Sequence, residues 1–139
     1  MATRRSKKQA MTTSTTPTAL RRAYQRYFHE FLPQLLNQLL IEDLHDLSCC
    51  FSYRLSDSED PPWRLVLTEG RLTAVGHEGA EPQCTFVCDT QTLMAVVSGA
   101  LHPQEAFFAQ RIEMEGDLEL ALRLAFLLAP FFERYPFTP

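Results

Sequence analysis

The chain has 139 residues, a formal net charge of −4 and 45% hydrophobic residues, the profile of one globular domain with its own core. No apolar run reaches the roughly 18 residues that a membrane-spanning helix needs. The N-terminus is basic and polar with no apolar stretch behind it, unlike a secretory leader. Four cysteines (Cys49, Cys50, Cys84, Cys88) without an export signal predict reduced thiols in a cytoplasmic protein.

Charge is distributed unevenly. Arg4, Arg5, Lys7, Lys8, Arg21, Arg22 and Arg26 face no acid within residues 1–26, whereas all 17 Asp/Glu fall in the remainder. Residues 1–17, MATRRSKKQAMTTSTTP, are polar and aperiodic and predict a disordered basic arm. The arm is open to several roles: a solubilising tail, a mitochondrial-type presequence, or a contact for an anionic membrane surface or an acidic partner. Nucleic acid is disfavoured, because the acidic remainder repels it.

Helical spacing starts at Thr18. Leu20, Ala23, Tyr24, Tyr27, Phe28 and Phe31 form one stripe, and Pro33 interrupts it. Leu32, Leu35, Leu36, Leu39 and Leu40 then recur at i, i+3, i+4, i+7 and i+8, which predicts a kinked helical segment over 18–46. Strand alternation follows in CCFSYRL, with Cys49, Phe51, Tyr53 and Leu55 on one face. Trp63, Leu65 and Leu67 alternate next, and Glu69-Gly70 turns the chain into RLTAV, the second arm of a hairpin. CTFVC makes a fourth strand. Asp89 is placed to cap a helix carrying Leu93, Met94, Val97 and Leu101 inward. Pro103 opens a short helical turn, Gln110 to Glu115 makes a fifth strand, and Asp117 caps the last helix. This order suits an α+β fold, a mostly antiparallel sheet with helices over one face.

Chemistry finds little support in these residues. Cys84 and Cys88, four apart in a strand, are separated by roughly 13 Å, too far for one zinc ion with thiolate bonds of ~2.3 Å. Buried structural thiols are the better reading. His29, His45, His77 and His102 are scattered without metal-ligand spacing, and Glu113 and Glu115 belong to a solvated strand face. No phosphate-binding loop, dinucleotide fingerprint or nucleophile elbow occurs. The sequence thus predicts no catalytic residue, no metal and no cofactor.

The last helix carries the functional signal. Glu119 and Arg123 give its first half a polar face, but LAFLLAPFF, from Leu124 to Phe132, holds no charge. A helix apolar all round must be covered or must meet something apolar. Ordinary core beneath the sheet and the wall of an apolar tunnel both satisfy that, and periodicity does not choose between them.

The stretch TFVCDTQTLMAVVSGALHPQEAFFAQRIEMEGDLELALRLAFLL resembles the second half of the SCP-2 sterol-carrier-protein family. The likeness covers roughly residues 49 to 132, and Gly99, Phe107, Ile112, Gly116 and Asp117 fall on the family's recurrent positions. The run FFAQRIEMEGDLELAL is similar to bacterial SCP-2-type accessory factors of ubiquinone biosynthesis. The resemblance implies a five-stranded sheet covered by helices around an apolar tunnel, over residues 18–139. It also implies a non-catalytic carrier of an isoprenoid, acyl chain or phospholipid, in the cytoplasm or peripheral to a membrane, working beside ubiquinone-biosynthesis enzymes. A protein-interaction module using the apolar C-terminal surface without lipid is the alternative. The arm is unusually basic, and the family pattern does not settle its role. Family position and helical periodicity nominate Phe108, Met114, Leu120, Leu124 and Leu128 as lipid-lining residues.

Overall fold

A computed structural model describes residues 17–40 and 42–139. The basic arm expected over 1–17 lies outside the described residues except for Pro17. Five strands, β1 (Cys49–Leu55), β2 (Trp63–Thr68), β3 (Arg71–Gly76), β4 (Cys84–Cys88) and β5 (Glu113–Gly116), form one sheet in the order β3-β2-β1-β4-β5. Only β1 and β4 run parallel, with Phe51 opposite Cys84 and Tyr53 opposite Phe86. The other neighbours are antiparallel, as the element order predicts.

Alternation sorts the two faces of the sheet. Phe51, Tyr53 and Leu55 of β1, Trp63, Leu65 and Leu67 of β2, and Cys84, Phe86 and Cys88 of β4 all point into the core. The opposite face mixes polar residues with Cys50, Val66 and Val87. Arg54 donates two hydrogen bonds to Glu115, at 3.0 and 2.8 Å, across the intervening β4. Ser52 is buried on that face because its hydroxyl pairs with that of Thr85 at 2.6 Å, a cross-strand bond that satisfies both groups.

The helices cover the inner face. α1 (Thr18–Arg26) continues through a π turn, Tyr27–Phe31, into a 3-10 turn, Leu32–Leu35. There the helix expected to reach Asp46 ends. Pro33 lacks an N–H to continue the ladder, Leu36 is extended at ψ 137°, and Asn37 turns left-handed at φ 66°. The chain then follows the edge of β3: the Asn37 N–H donates to the Leu72 carbonyl at 2.7 Å, and Leu39 bridges Arg71. Leu35, Leu40 and Leu44 still reach the core, so the leucine spacing reports burial correctly but not conformation.

The remaining helices start where side chains cap them. Asp89 accepts from the Thr92 N–H at 2.7 Å at the head of α2 (Thr90–Val97), and the Asp57 carboxylate accepts from the Thr90 N–H and hydroxyl. Pro103 sits at the start of α3 (Pro103–Phe108), where its missing N–H costs nothing. Gln110, left-handed at φ 62°, closes α3, and the Arg111 N–H donates back to the Ala106 carbonyl at 2.8 Å. These residues belong to the turn, so β5 starts at Glu113 rather than at Gln110. Asp117 accepts from the Leu120 N–H and starts α4 (Leu118–Arg134), which packs on β4, β5 and α3.

Past α4 the chain folds back. The Phe137 N–H donates to the Val97 carbonyl at 3.0 Å, and its ring packs edge-on against the stacked pair Tyr27 and Phe31, at 5.2 and 5.3 Å. Phe28 stacks on Trp63 at 5.1 Å and ties α1's continuation to β2. Both ends of the described chain therefore clamp the same aromatic cluster.

The hairpin turn between β2 and β3 allows a direct test. Gly70 adopts φ +78° and its N–H donates to the Leu47 carbonyl at 2.8 Å, while a Cβ there would collide with the backbone of Leu44. Gly70→Ala combines left-handed strain with this clash and should cost roughly 1–3 kcal/mol or more in urea unfolding. An unchanged midpoint would show that the close approach of the 42–47 segment is not required.

Candidate functional site: an apolar seam under the last helix

Between the sheet and α4 runs an apolar seam with two lobes. The first lies beneath α2 and α3 and is walled by Phe86, Leu93, Pro103, Ile112, Met114 and Ala125 among others. The second lies beneath the α1 continuation and is walled by Tyr27, Leu32, Leu40, Leu65, Leu72 and Phe131 among others. Tyr53, Leu128 and Phe132 border both, and so form the neck between them. No Lys, Arg, His, Asp or Glu lines either lobe.

The lobes are nearly shut, with cavity volumes of ≈ 20 and ≈ 10 Å³, room for a single water at most. A chain-length occupant would need the lobes to widen. Two features around them suit that. α4 presents Ala121, Ala125 and Ala129 on its buried face, small side chains that leave contacts easily. Met94 and Met114, unbranched and adaptable, stand on the surrounding elements.

The nominated residues divide by position. Met114 lines the first lobe from β5, and Leu128 sits at the neck. Leu124 is 0% exposed, within the core and off both lobes. Leu120 is half-buried against the core. Phe108 is 78% exposed, at the end of α3 and away from the seam. Sequence reasoning left out Tyr53, Phe86 and Phe132. Their inward direction was available from strand and helix periodicity, but the parallel register that sets Tyr53 beside Phe86 under α4 was not.

α4 is not covered all round. Leu118, Leu122 and Phe126, at i, i+4 and i+8, make an exposed stripe, with Phe126 61% accessible. The helix thus serves two surfaces, one against the sheet and one outward, and of the charge-free run from Leu124 to Phe132 the outward stripe takes Phe126.

Electrostatics argue for inert walls. Burial pushes the Cys49 thiol up to about 11 and those of Cys84 and Cys88 up to about 12, so all three stay protonated and weakly nucleophilic near neutrality. Among the described residues no group of three or more His, Cys, Asp or Glu is placed to hold a metal ion. No described helix is long and apolar enough to cross a membrane.

Fold and seam together define a small α+β domain that closes helices from one side of a sheet over an apolar seam. Residues 28–129 match the SCP-2 sterol transfer family, a family of lipid carriers, and the chain belongs to it. Sterol carrier protein 2 of Bos taurus is 23% identical over 77 residues, which is 53% of this chain and 14% of the relative. The chain thus matches only a small part of the curated relatives' length. A sterol carrier protein domain from Helicoverpa armigera superposes with a TM-score of 0.54 at 20% identity, covering 88% of this chain and 97% of that one. A UbiJ-SCP2 ubiquinone synthesis protein superposes at 0.52 with 14% identity, covering 83% and 94%. At these identities the superpositions speak for the fold alone.

The thiols give a pH prediction with a definite sign. Their folded pKa values exceed the ordinary 9.0, so the unfolded chain releases these protons first. Their contribution to stability is complete below about pH 9 and is lost as pH rises towards 12. Urea midpoints should stay level from pH 7 to 8.5 and fall above 9, and a Cys84→Ala/Cys88→Ala variant should fall less steeply. Identical slopes for the two proteins would contradict burial of these thiols.

Proposed function

We propose that this chain is a non-catalytic carrier that holds an isoprenoid or acyl lipid in the seam beneath α4. The observation that carries this reading is the seam itself: a continuous apolar interface with no charged residue, split by a neck, in a family of lipid carriers. Each CH₂ moved from water into it contributes roughly 0.8 kcal/mol, so a dozen carbons supply on the order of 10 kcal/mol against the cost of opening and ordering. Solubilisation of this kind needs no nucleophile, metal or cofactor.

The working unit is the domain from residue 18 to 139, in the cytoplasm or at the surface of a membrane. The pathway we favour is ubiquinone biosynthesis, in which the carrier holds the lipid tail while partner enzymes modify the ring. The resemblance of FFAQRIEMEGDLELAL to the bacterial accessory factors supports this assignment. The exposed stripe of Leu118, Leu122 and Phe126 favours a second reading, an interaction module that docks on a partner without lipid. Lipid retained through purification supports the carrier, and lipid-free oligomers support the module.

Met114 tests the carrier at a site that tolerates change, because it is half-buried on the edge strand β5 and lines the first lobe. Met114→Lys should weaken binding of a fluorescent prenyl or acyl probe by about tenfold or more, since the ammonium resists desolvation beside an apolar chain, with little change in melting temperature. Leu124→Trp is the contrast: it should overpack the filled core and cost roughly 1–3 kcal/mol. Undiminished probe binding by Met114→Lys would remove the seam from consideration.

The basic arm provides a separate test. Each Lys/Arg near an anionic surface contributes about 1 kcal/mol at most, so cosedimentation with anionic vesicles should weaken with salt and on deletion of residues 1–17. Equal binding to neutral and anionic vesicles would refute an electrostatic role.

A further inference from the structure

The seam is apolar except for two phenol groups and the Cys88 thiol. Tyr53 is 7% exposed and borders both lobes, and Tyr27 is 2% exposed and borders the second. Among the described residues neither hydroxyl has a hydrogen-bond partner. The third buried tyrosine of the cluster shows the ordinary solution: the Tyr24 hydroxyl is met by the side chain of Trp63. Buried hydroxyls without partners are uncommon in native proteins, since burial removes the water that would bond them. Two of them on one otherwise dry interface call for an explanation.

The position of Tyr53 narrows it. Its ring is fixed from three sides, by Phe28 at 6.0 Å, Phe51 at 5.7 Å and Phe86 at 5.6 Å. Tyr53 borders both lobes, with Cys88 in the wall of the first and Tyr27 in the wall of the second. Its side chain therefore belongs to the neck. Burial holds both phenols above their ordinary pKa, so they stay neutral. A neutral hydroxyl gives one hydrogen bond and accepts others. No cation lines either lobe to balance an ionised ligand.

We propose, resting on the carrier reading above, that the Tyr53 hydroxyl is the anchor for a neutral oxygen of the bound lipid. The ligand class is then an oxygen-bearing lipid (a ketone, ester or alcohol) seated with its oxygen at the neck and its apolar parts in the lobes. An ionised carboxylate is disfavoured at the neck by charge burial, and a plain hydrocarbon leaves the hydroxyl unsatisfied. Tyr27, bordering the second lobe, offers a second hydrogen bond to the same oxygen or to a neighbouring one.

Tyr53→Phe tests this cleanly, because it keeps the ring in its aromatic packing and removes only the hydroxyl. Delipidated wild-type protein and the variant are titrated, by displacement of a fluorescent probe, with a methyl ester, an ionised carboxylate and an alkane of matched chain length. Wild type should bind the ester about tenfold more tightly than the alkane, the scale of one hydrogen bond, and the carboxylate more weakly than the ester. Tyr53→Phe should lose the preference for the ester while keeping alkane affinity and melting temperature. An isotopically labelled ester carbonyl should show a hydrogen-bonded infrared band in wild type and a free one in the variant. Equal ester affinity in both proteins, or an unshifted band in wild type, overturns the anchor and leaves the hydroxyl to a buried water; the carrier reading would survive. Failure of wild type to bind any of the three overturns both.

Discussion

The dry contact between α4 and the inner face of the sheet is the interaction on which the rest depends. It closes the core from one side, and without it Phe86, Leu93 and Ile112 would stand open to water. It is also weakly directional. The strands are joined by backbone ladders, whereas α4 meets them through apolar side chains, many of them alanine and leucine. Dispersion and the hydrophobic effect act there without direction. A lipid chain can replace such contacts like for like, which it cannot do for a strand's hydrogen bonds.

Specific interactions fix where α4 begins and ends. Asp117 caps its start, and the Asp117 N–H donates to the Gln83 carbonyl at 2.9 Å, fastening that end to the entrance of β4. Gly116 makes this approach possible: it adopts φ +87°, and a Cβ would lie 2.6 Å from the Gln83 oxygen. At the other end, Phe137 locks the returning chain to Val97 and to the Tyr27 and Phe31 rings. A helix pinned at both ends over a weakly directional bed suits reversible admission of an apolar guest.

Much of this was legible in residue order. Strand alternation located β1 to β4, and Asp89, Pro103 and Asp117 marked helix starts by capping chemistry that needs no tertiary context. The leucines after Pro33 were harder, because i, i+3, i+4 spacing over so short a run also fits a chain that buries every third or fourth side chain along a sheet edge. Asn37 was the local clue, a residue tolerant of left-handed backbone. Site residues were less legible than elements. Helical periodicity places Leu120, Leu124 and Leu128 on one face, yet only Leu128 meets the neck, since contact with a lobe depends on height above the sheet as well as on face. Tyr53 was legible as an inward strand position, but a hydroxyl without a partner is visible only once every neighbour is placed.

Where an apolar chain sits on the protein is the most direct test of the account. Photolabelling with a diazirine-bearing prenyl or acyl chain, followed by peptide mapping, reads that location without relying on affinity. Labels should concentrate on the buried sides of β1, β4 and α4, around Tyr53, Phe86, Leu128 and Phe132. Labels confined to Leu118, Leu122 and Phe126 on the outer stripe, with none on the strands, would contradict a lipid beneath α4.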